Sequence, residues 1–432
     1  MIKRPEACIV IVPPWPNSGS ANIFAAIVKN HALLGRRVLI LVGADEETQS
    51  PSRREILRRQ CALLNFDGAT LVTHTHLRPK RYARGVRRYT RWITSGFPDS
   101  LRARAARIGS AFLSREAEEF IAKHEIRIIH VNHCFNMLLA RKLTKILASA
   151  NRDPPLIVCD THDIQANNKD IVRAKNPIGI RSTEFSVRRT EIAILRRADI
   201  LCHISMRDMK YFEARIPRAR HVHMPPTIAP AHEAQLVKLR GRGAAEGSLV
   251  YVGSNNFWNM KTLIWLLEEV LPRVPEAKSR LAIYGDVGSL VAFNRPDLVQ
   301  EFRTNFRGTV ASLVPVYEQA CGILAPSLGG TGSSIKVIEA LSCGRPVLVT
   351  SASLRGLEPA IVAESGLRPL DDAGAFAEAI RSCLEGRAPL PQWSCYDRHF
   401  SSAAYSRAFR ALLSGVSPLS PLDPTVPSPA KA

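Results

Sequence analysis

Short unbroken runs of Val, Ile and Leu recur along this chain, each followed by a stretch with helical spacing. That rhythm limits the fold more than any other feature. Strands with one wet face alternate apolar and polar residues, whereas runs without alternation are buried on both faces, as in parallel sheets covered by helices. The first half predicts such strands at Ala7–Val12, Arg37–Val42, Ala69–His74, Arg127–Asn132, Leu156–Asp160 and Asp199–Ser205. The second half repeats the pattern at Ser248–Val252, Arg280–Tyr284, Asn305–Val310, Gly322–Ala325 and Pro346–Thr350. Between the two series, Pro225–Gly247 breaks the rhythm with Pro, Gly and charge, as an interdomain connection does. The expected architecture is α/β, with two doubly wound lobes facing a cleft: residues 1–225, a linker over 226–247, and residues 248–415. Residues 416–432, rich in Pro and Ser, read as a disordered tail.

A chain of 432 residues, 46% hydrophobic and 22% charged, has material for two cores and too many aliphatic residues for disorder. Its nine cysteines fall mostly inside apolar runs and never at C-x-x-C spacing, so they read as small core residues in a reducing compartment. The apolar run Ala7–Val12 is too short for a signal segment, and no run reaches the roughly 18 apolar residues of a membrane span. A cytoplasmic protein is expected, peripheral on the inner face of a membrane at most.

The formal net charge of +21 asks for an acidic partner. Arg78–Arg107 concentrates it, with ten Lys or Arg against the single acid Asp99. Tyr82, Tyr89, Trp92, Ile93 and Phe97 are interleaved, a pattern that suits an anionic membrane surface or, on charge alone, a nucleic-acid backbone. A solvated loop has the same composition. No base-reading module accompanies it, so no nucleic-acid partner is expected.

Two loops carry candidate chemistry. The first, after Val12, holds one glycine, Gly19, ahead of a helix. It is not the G-x-G-x-x-G dinucleotide fingerprint, yet it places backbone and a helix N-terminus at the carboxyl edge of the sheet, where open α/β sheets bind ligands. The second is more specific. In Cys321–Thr350 a strand ends at Pro326, the loop Ser327-Leu328-Gly329-Gly330-Thr331-Gly332 follows, and a helix starts near Ser333 or Ser334. Glycines ahead of a helix let backbone N–H groups converge on an anion. Ser333 and Ser334 add hydroxyls, Lys336 adds charge, and Glu339 can accept paired hydroxyls such as a ribose presents. The spacing points to a nucleotide-diphosphate site.

The segment Gly330-Thr331-Gly332-Ser333-Ser334-Ile335-Lys336-Val337-Ile338-Glu339-Ala340-Leu341, closed by Gly344, Pro346 and Val347, resembles the signature of retaining family-4 (group 1) glycosyltransferases of the GT-B fold. Leu249–Ser254 with Asn259 is similar to that family's start of the second lobe, and Phe306–Val310 to its F-x-G-x-V strand. Asp160-Thr161-His162-Asp163, followed by Arg196–Asp199 and Ser205, is similar to its first-lobe histidine motif. The resemblance spans roughly residues 7 to 412 and implies two Rossmann-like lobes, with the acceptor side in the first, the donor side in the second and a final helix crossing back. It implies metal-independent transfer, with retention, from a nucleotide-sugar donor to a glycan, lipid-linked or polysaccharide acceptor. The donor is a co-substrate, and no cofactor is implied. By the same resemblance the diphosphate lies on Gly330, Thr331, Gly332, Ser333 and Lys336, with Lys261 as a second cation. Glu339 holds the ribose, and His162 faces the transferred sugar with Asp163 orienting it.

The chain departs from that signature twice. Thr331 stands where many members carry a further glutamate near the sugar hydroxyls, and Ser254 where many carry a phosphate-binding arginine. A non-catalytic donor-binding paralogue or scaffold is therefore the alternative, followed by a nucleotide-sugar epimerase, which would need more cleft carboxylates. His130, His133, His203, His221 and His223 read as core or hydrogen-bonded residues at strand ends. No His/Cys set has zinc spacing, so no metal is expected.

Overall fold

The computed structural model describes residues 4–13, 15, 19–42, 69–72, 99–109, 113–168, 171–172, 174, 181–241, 247–330 and 332–414. Most of the basic segment Arg78–Arg107, Thr331 and the tail 416–432 lie outside them.

Seven strands form the first sheet: β1 (Glu6–Val12), β2 (Arg37–Val42), β3 (Ala69–Val72), β4 (Glu125–Asn132), β5 (Leu156–Asp160), β6 (Ile200–His203) and β7 (Arg220–His223). All pairings are parallel, in the order β3-β2-β1-β4-β5-β6-β7. The unbroken apolar runs have the expected cause. Along β1, Ala7, Ile9 and Ile11 enter one core while Cys8, Val10 and Val12 enter the core on the opposite face. The second sheet is β8 (Ser248–Val252), β9 (Leu281–Tyr284), β10 (Phe306–Gly308), β11 (Ala320–Ala325) and β12 (Val347–Val349), parallel in the order β10-β9-β8-β11-β12. In each sheet the order reverses beside the first strand, between β1 and β4 and between β8 and β11. The carboxyl ends of the strands flanking such a switch point are where doubly wound folds place ligands.

Two stretches add to the sequence reading. β7 was missed because Arg220-His221-Val222-His223 holds one aliphatic residue, as an edge strand can. Pro225–Gly247 contains a helix, Pro230–Leu236, with Pro230 in its first turn, and a 3-10 turn, Val237–Leu239, so it is not an irregular connection throughout.

The last helix, Ser402–Leu413, packs against the first sheet, where Tyr405, Phe409, Leu412 and Leu413 join the core behind β1. Glu233 anchors its start by accepting from the Ser402 backbone N–H at 3.0 Å and from the Tyr396 hydroxyl at 2.9 Å. Thr227 adds a bond to the Phe400 carbonyl at 2.7 Å. The chain thus crosses between the sheets twice, at 225–247 and at 400–402.

Candidate functional site

The glycine loop leaves β11, whose residues are all buried. Thr350, after β12, fixes its start: the threonine hydroxyl donates to the Ser327 carbonyl at 2.6 Å and accepts the Ser327 N–H at 2.9 Å. Gly330 has φ +132, and a Cβ there would lie 2.9 Å from the Arg355 guanidinium. Gly332 has φ +62, and a Cβ there would lie 3.0 Å from the His162 carbonyl oxygen and 3.1 Å from Ile204 Cδ1. Glycine is required at 332 on both counts, and its backbone is where the second lobe meets the first. Beside it the Ser333 hydroxyl donates across the cleft to the Ile204 carbonyl at 3.1 Å. Ser334 caps the helix Ile335–Cys343 without a side-chain hydrogen bond, and Gly344 ends it in the left-handed conformation.

Lys336 and Glu339 lie on this helix. Lys336 Nζ donates to Asn259 Oδ1 at 2.9 Å and sits 4.8 Å from the centre of the Tyr251 ring. Burial, then the nearby Arg355, lower its pKa to about 7. Glu339 Oε2 accepts the Tyr317 hydroxyl at 2.8 Å, and Oε1 is 3.7 Å from His232 Nε2. Burial raises its pKa to about 7. A pocket of about 210 Å3 opens beside the glycine loop. Asn167 and Asn168 line it from the first lobe, and Trp258, Asn259, Gly330 and Arg355 from the second.

On the first lobe, His133 and His162 follow β4 and β5 with φ of +64 and +59. Their rings stack at 4.1 Å. Left-handed backbone at a non-glycine residue costs about 1–2 kcal/mol, and such strain gathers at functional sites. His162 Nε2 meets Asn132 Oδ1 at 3.0 Å, while His162 Nδ1 and both ring nitrogens of His133 are buried without a hydrogen-bond partner among the described residues. Burial lowers the His162 pKa to about 4 and that of His133 well below the usual imidazole value, so both rings are neutral at pH 7. The loop beyond His162 is held from below by Glu191, which accepts the backbone N–H of Gln165 at 2.7 Å and of Ala166 at 3.3 Å.

The structure therefore gathers Gly330, Gly332, Ser333, Ser334, Lys336 and Glu339 on one loop and helix, and sets His162 against Gly332. Gly19 opens the helix Gly19–Leu33 on the first lobe. Lys261 is exposed on the helix Phe257–Trp265, and neither it nor Lys336 is among the residues that line the pocket. One expectation is corrected. Asn132, not Asp163, holds the His162 ring, and the Asp163 carboxylate instead accepts from the Gln165 amide.

Sequence reading missed Arg355, Asn132, His232 and Glu191. Only Glu191 carried a usable signal: it falls four residues after Val187 and four before Leu195, so a carboxylate interrupts a buried helical stripe.

Residues 246–386 match the family model described as glycosyl transferases group 1. Comparison with curated proteins returns no match. Among solved structures, Anabaena HepE in complex with UDP superposes with a TM-score of 0.54 at 13% identity, covering 94% of this chain and 100% of that one. Sucrose-phosphate synthase from Thermosynechococcus elongatus gives 0.56 at 15% identity, covering 94% and 100%. The UDP-forming α,α-trehalose-phosphate synthase from Burkholderia xenovorans, in complex with glucose-6-phosphate, gives 0.56 at 12% identity, covering 95% and 100%. Two parallel sheets meeting at a glycine loop, with a group 1 match over the second of them, make this chain a glycosyltransferase of the GT-B fold.

Proposed function

We propose that the enzyme moves a glycosyl group from a nucleoside-diphosphate sugar to a sugar-bearing acceptor, with retention and without a metal ion or other cofactor in the reaction. The observation that carries this reading is the convergence of Gly330, Gly332, Arg355 and Lys336 on one side of the cleft, with His162 on the other. Cleaving a sugar–phosphate bond leaves negative charge on the diphosphate and positive charge on the ring, so preorganised cations and N–H dipoles stabilise the transition state more than the ground state. Arg355 supplies the cation that Ser254 lacks. It donates to Ser327 Oγ at 3.1 Å and lies against Gly330, which sets it over the loop where the diphosphate is assigned. Glu339 takes the ribose hydroxyls. His162, neutral and backed by His133, offers the sugar an imidazole that does not repel the cationic ring.

Support for the donor class comes from HepE, solved with UDP, with UDP and glucose, and with UDP-glucose. The trehalose-phosphate synthase bound to glucose-6-phosphate supports a sugar acceptor. In this reading the first lobe receives the acceptor, and the basic segment Arg78–Arg107 draws in an anionic surface or a lipid-linked glycan for polysaccharide synthesis. No described helix is long and apolar enough to cross a membrane.

The test is consumption of a panel of UDP-, GDP- and ADP-sugars by the full chain, with candidate acceptors, with and without chelator. Nucleoside diphosphate should be released in chelator, and NMR of the product should show the donor's anomeric configuration. Binding of a nucleotide sugar without turnover on any acceptor would favour the donor-binding paralogue. Failure to bind any nucleotide would sink both readings.

A further inference from the structure

Outside the cleft, one cluster of side chains has no role in the chemistry above. Glu364, Cys395 and His399 come from two helices, Pro359–Ser365 and Trp393–His399, and present one ligand atom each, all within 4.8 Å of one another. We propose that they form a divalent-cation site of the zinc type that fastens these helices together beside the interlobe crossing. The proposal is independent of the donor and acceptor assignments.

The donor set selects the ion. A thiolate, an imidazole and a carboxylate suit Zn2+ or Co2+, whereas Mg2+ and Ca2+ take oxygen ligands. Cys395 and His399 are four residues apart on one helix, so both side chains lie on the same face. Cys395 is fully buried, while the side chains of Glu364 and His399 are 27% and 28% exposed, so water can complete a four-coordinate site from outside. His399 Nε2 is already 2.9 Å from Glu364 Oε2. A zinc ion with bonds of about 2.0–2.3 Å holds its ligands roughly 3.3–3.8 Å apart, so only small rotations separate this arrangement from a coordinating one.

Two neighbours oppose the ion, and both give way. Arg398 NH1 is 3.2 Å from Glu364 Oε1, but its side chain is 65% exposed and such solvent-facing pairs contribute little. The Cys395 thiol lies 3.6 Å from the Ile361 carbonyl, and its pKa is pushed up to about 11 by burial and by Glu364. Binding forms the metal–sulfur bond and breaks the S–H bond, with the proton leaving to solvent, so no oxidant or reductant is needed.

Position gives the site a consequence. Glu358, which caps the first helix, lies 3.6 Å from His223 at the end of β7. The second helix runs into Phe400, whose carbonyl accepts from Thr227, and on into the helix that returns to the first lobe. An ion here links both routes across the joint. Sequence spacing could not show it, because the third ligand lies 31 residues upstream on a separate helix.

The experiment is calorimetric titration of metal-free, reduced full-length protein with Zn2+, paired with Co2+ absorption. The expected result is one tight ion per chain, release of about one proton per ion read from the change of the observed heat with buffer ionisation enthalpy, a thiolate-to-cobalt charge-transfer band and a raised melting temperature. Cys395→Ser should abolish the band. It and Glu364→Gln should each weaken Zn2+ by more than the roughly 10- to 100-fold that loss of an outer-shell partner costs. Glu364→Gln is a partly exposed, isosteric change that leaves the core intact, so a misfolded serine variant does not leave the question open. Absence of a stoichiometric ion overturns the proposal, as does a band and affinity that survive both substitutions.

Discussion

Glu339 has a structural partner and an assigned ligand, and the two can be separated. Tyr317 is fully buried, and its hydroxyl donates to Glu339 Oε2 at 2.8 Å. Glu339→Ala leaves that hydroxyl without an acceptor, at about 1–3 kcal/mol, and removes roughly 0.8 kcal/mol of buried methylene. The single variant should therefore lose about 2–4 kcal/mol of stability. Adding Tyr317→Phe removes the orphaned hydroxyl, and the double variant should regain about 1–2 kcal/mol. Nucleotide binding should not follow. A hydrogen bond to a charged group contributes about 1.5–3 kcal/mol, so UDP should bind roughly 10- to 100-fold more weakly to the single and double variants alike. Urea unfolding gives the first quantity and calorimetric titration with UDP the second. If the double variant recovers UDP affinity together with stability, Glu339 acts on the nucleotide only through the fold, and its assignment to the ribose is wrong.

Gly332→Ala sets a Cβ 3.0 Å from the His162 carbonyl and forces φ +62 on an L side chain, so the lobes should part and break the Ser333–Ile204 bond. A cost of about 2–3 kcal/mol should appear as a roughly 30- to 150-fold fall in kcat/KM, together with a lowered melting temperature from the strained φ, and a variant with unimpaired kcat/KM would remove that contact from catalysis. UDP affinity should fall by up to about tenfold per pH unit above pH 7, because in the proposed reading Lys336, with its pKa lowered to about 7, must be charged to hold the diphosphate. Lys336→Met should bind weakly with no such slope between pH 7.5 and 9, and a wild-type profile flat there would exclude Lys336. Asn132→Leu removes the partner of His162 Nε2 and should lower kcat while leaving UDP affinity intact, since Asn132 lies across the cleft from the glycine loop. A matched loss of UDP affinity would contradict that division.

The sheets were legible because parallel strands buried on both faces leave unbroken apolar runs, as β1 does with all of Ala7–Val12 at 0% exposure. β7 was not, since an edge strand needs few apolar residues. The glycine loop was legible for a local reason: anion binding at a helix N-terminus uses consecutive backbone, so its residues stay adjacent in sequence. The rest of the site is assembled from remote segments. Arg355 reaches Gly330 from the turn after β12, Asn132 reaches His162 from the neighbouring strand, and His232 reaches Glu339 from the connection. None of these pairings leaves a spacing to find.

The ionisable groups beside the glycine loop are shifted in one common sense. Lys336 is shifted down and Glu339 up, each to about 7, and Arg355 is shifted down, all by burial first. Every shift disfavours the charged form. For Glu339 the folded state holds its proton more tightly than the unfolded chain, so stability falls as pH rises from the unfolded value of 4.5 through 7. For Lys336 the unfolded chain holds its proton more tightly, so stability rises from pH 7 toward 10.5. The two slopes meet near neutrality, so the contribution of these two groups to stability is least near pH 7. A structural ion-pair cluster would behave in the opposite way, because mutual attraction favours the charged forms and outweighs desolvation. Two cations and one carboxylate carry a surplus of positive charge when ionised. In the proposed reading a nucleoside diphosphate would offset that surplus and its ribose hydroxyls would solvate the ionised Glu339, so the stability these groups give up near neutral pH would return as binding energy.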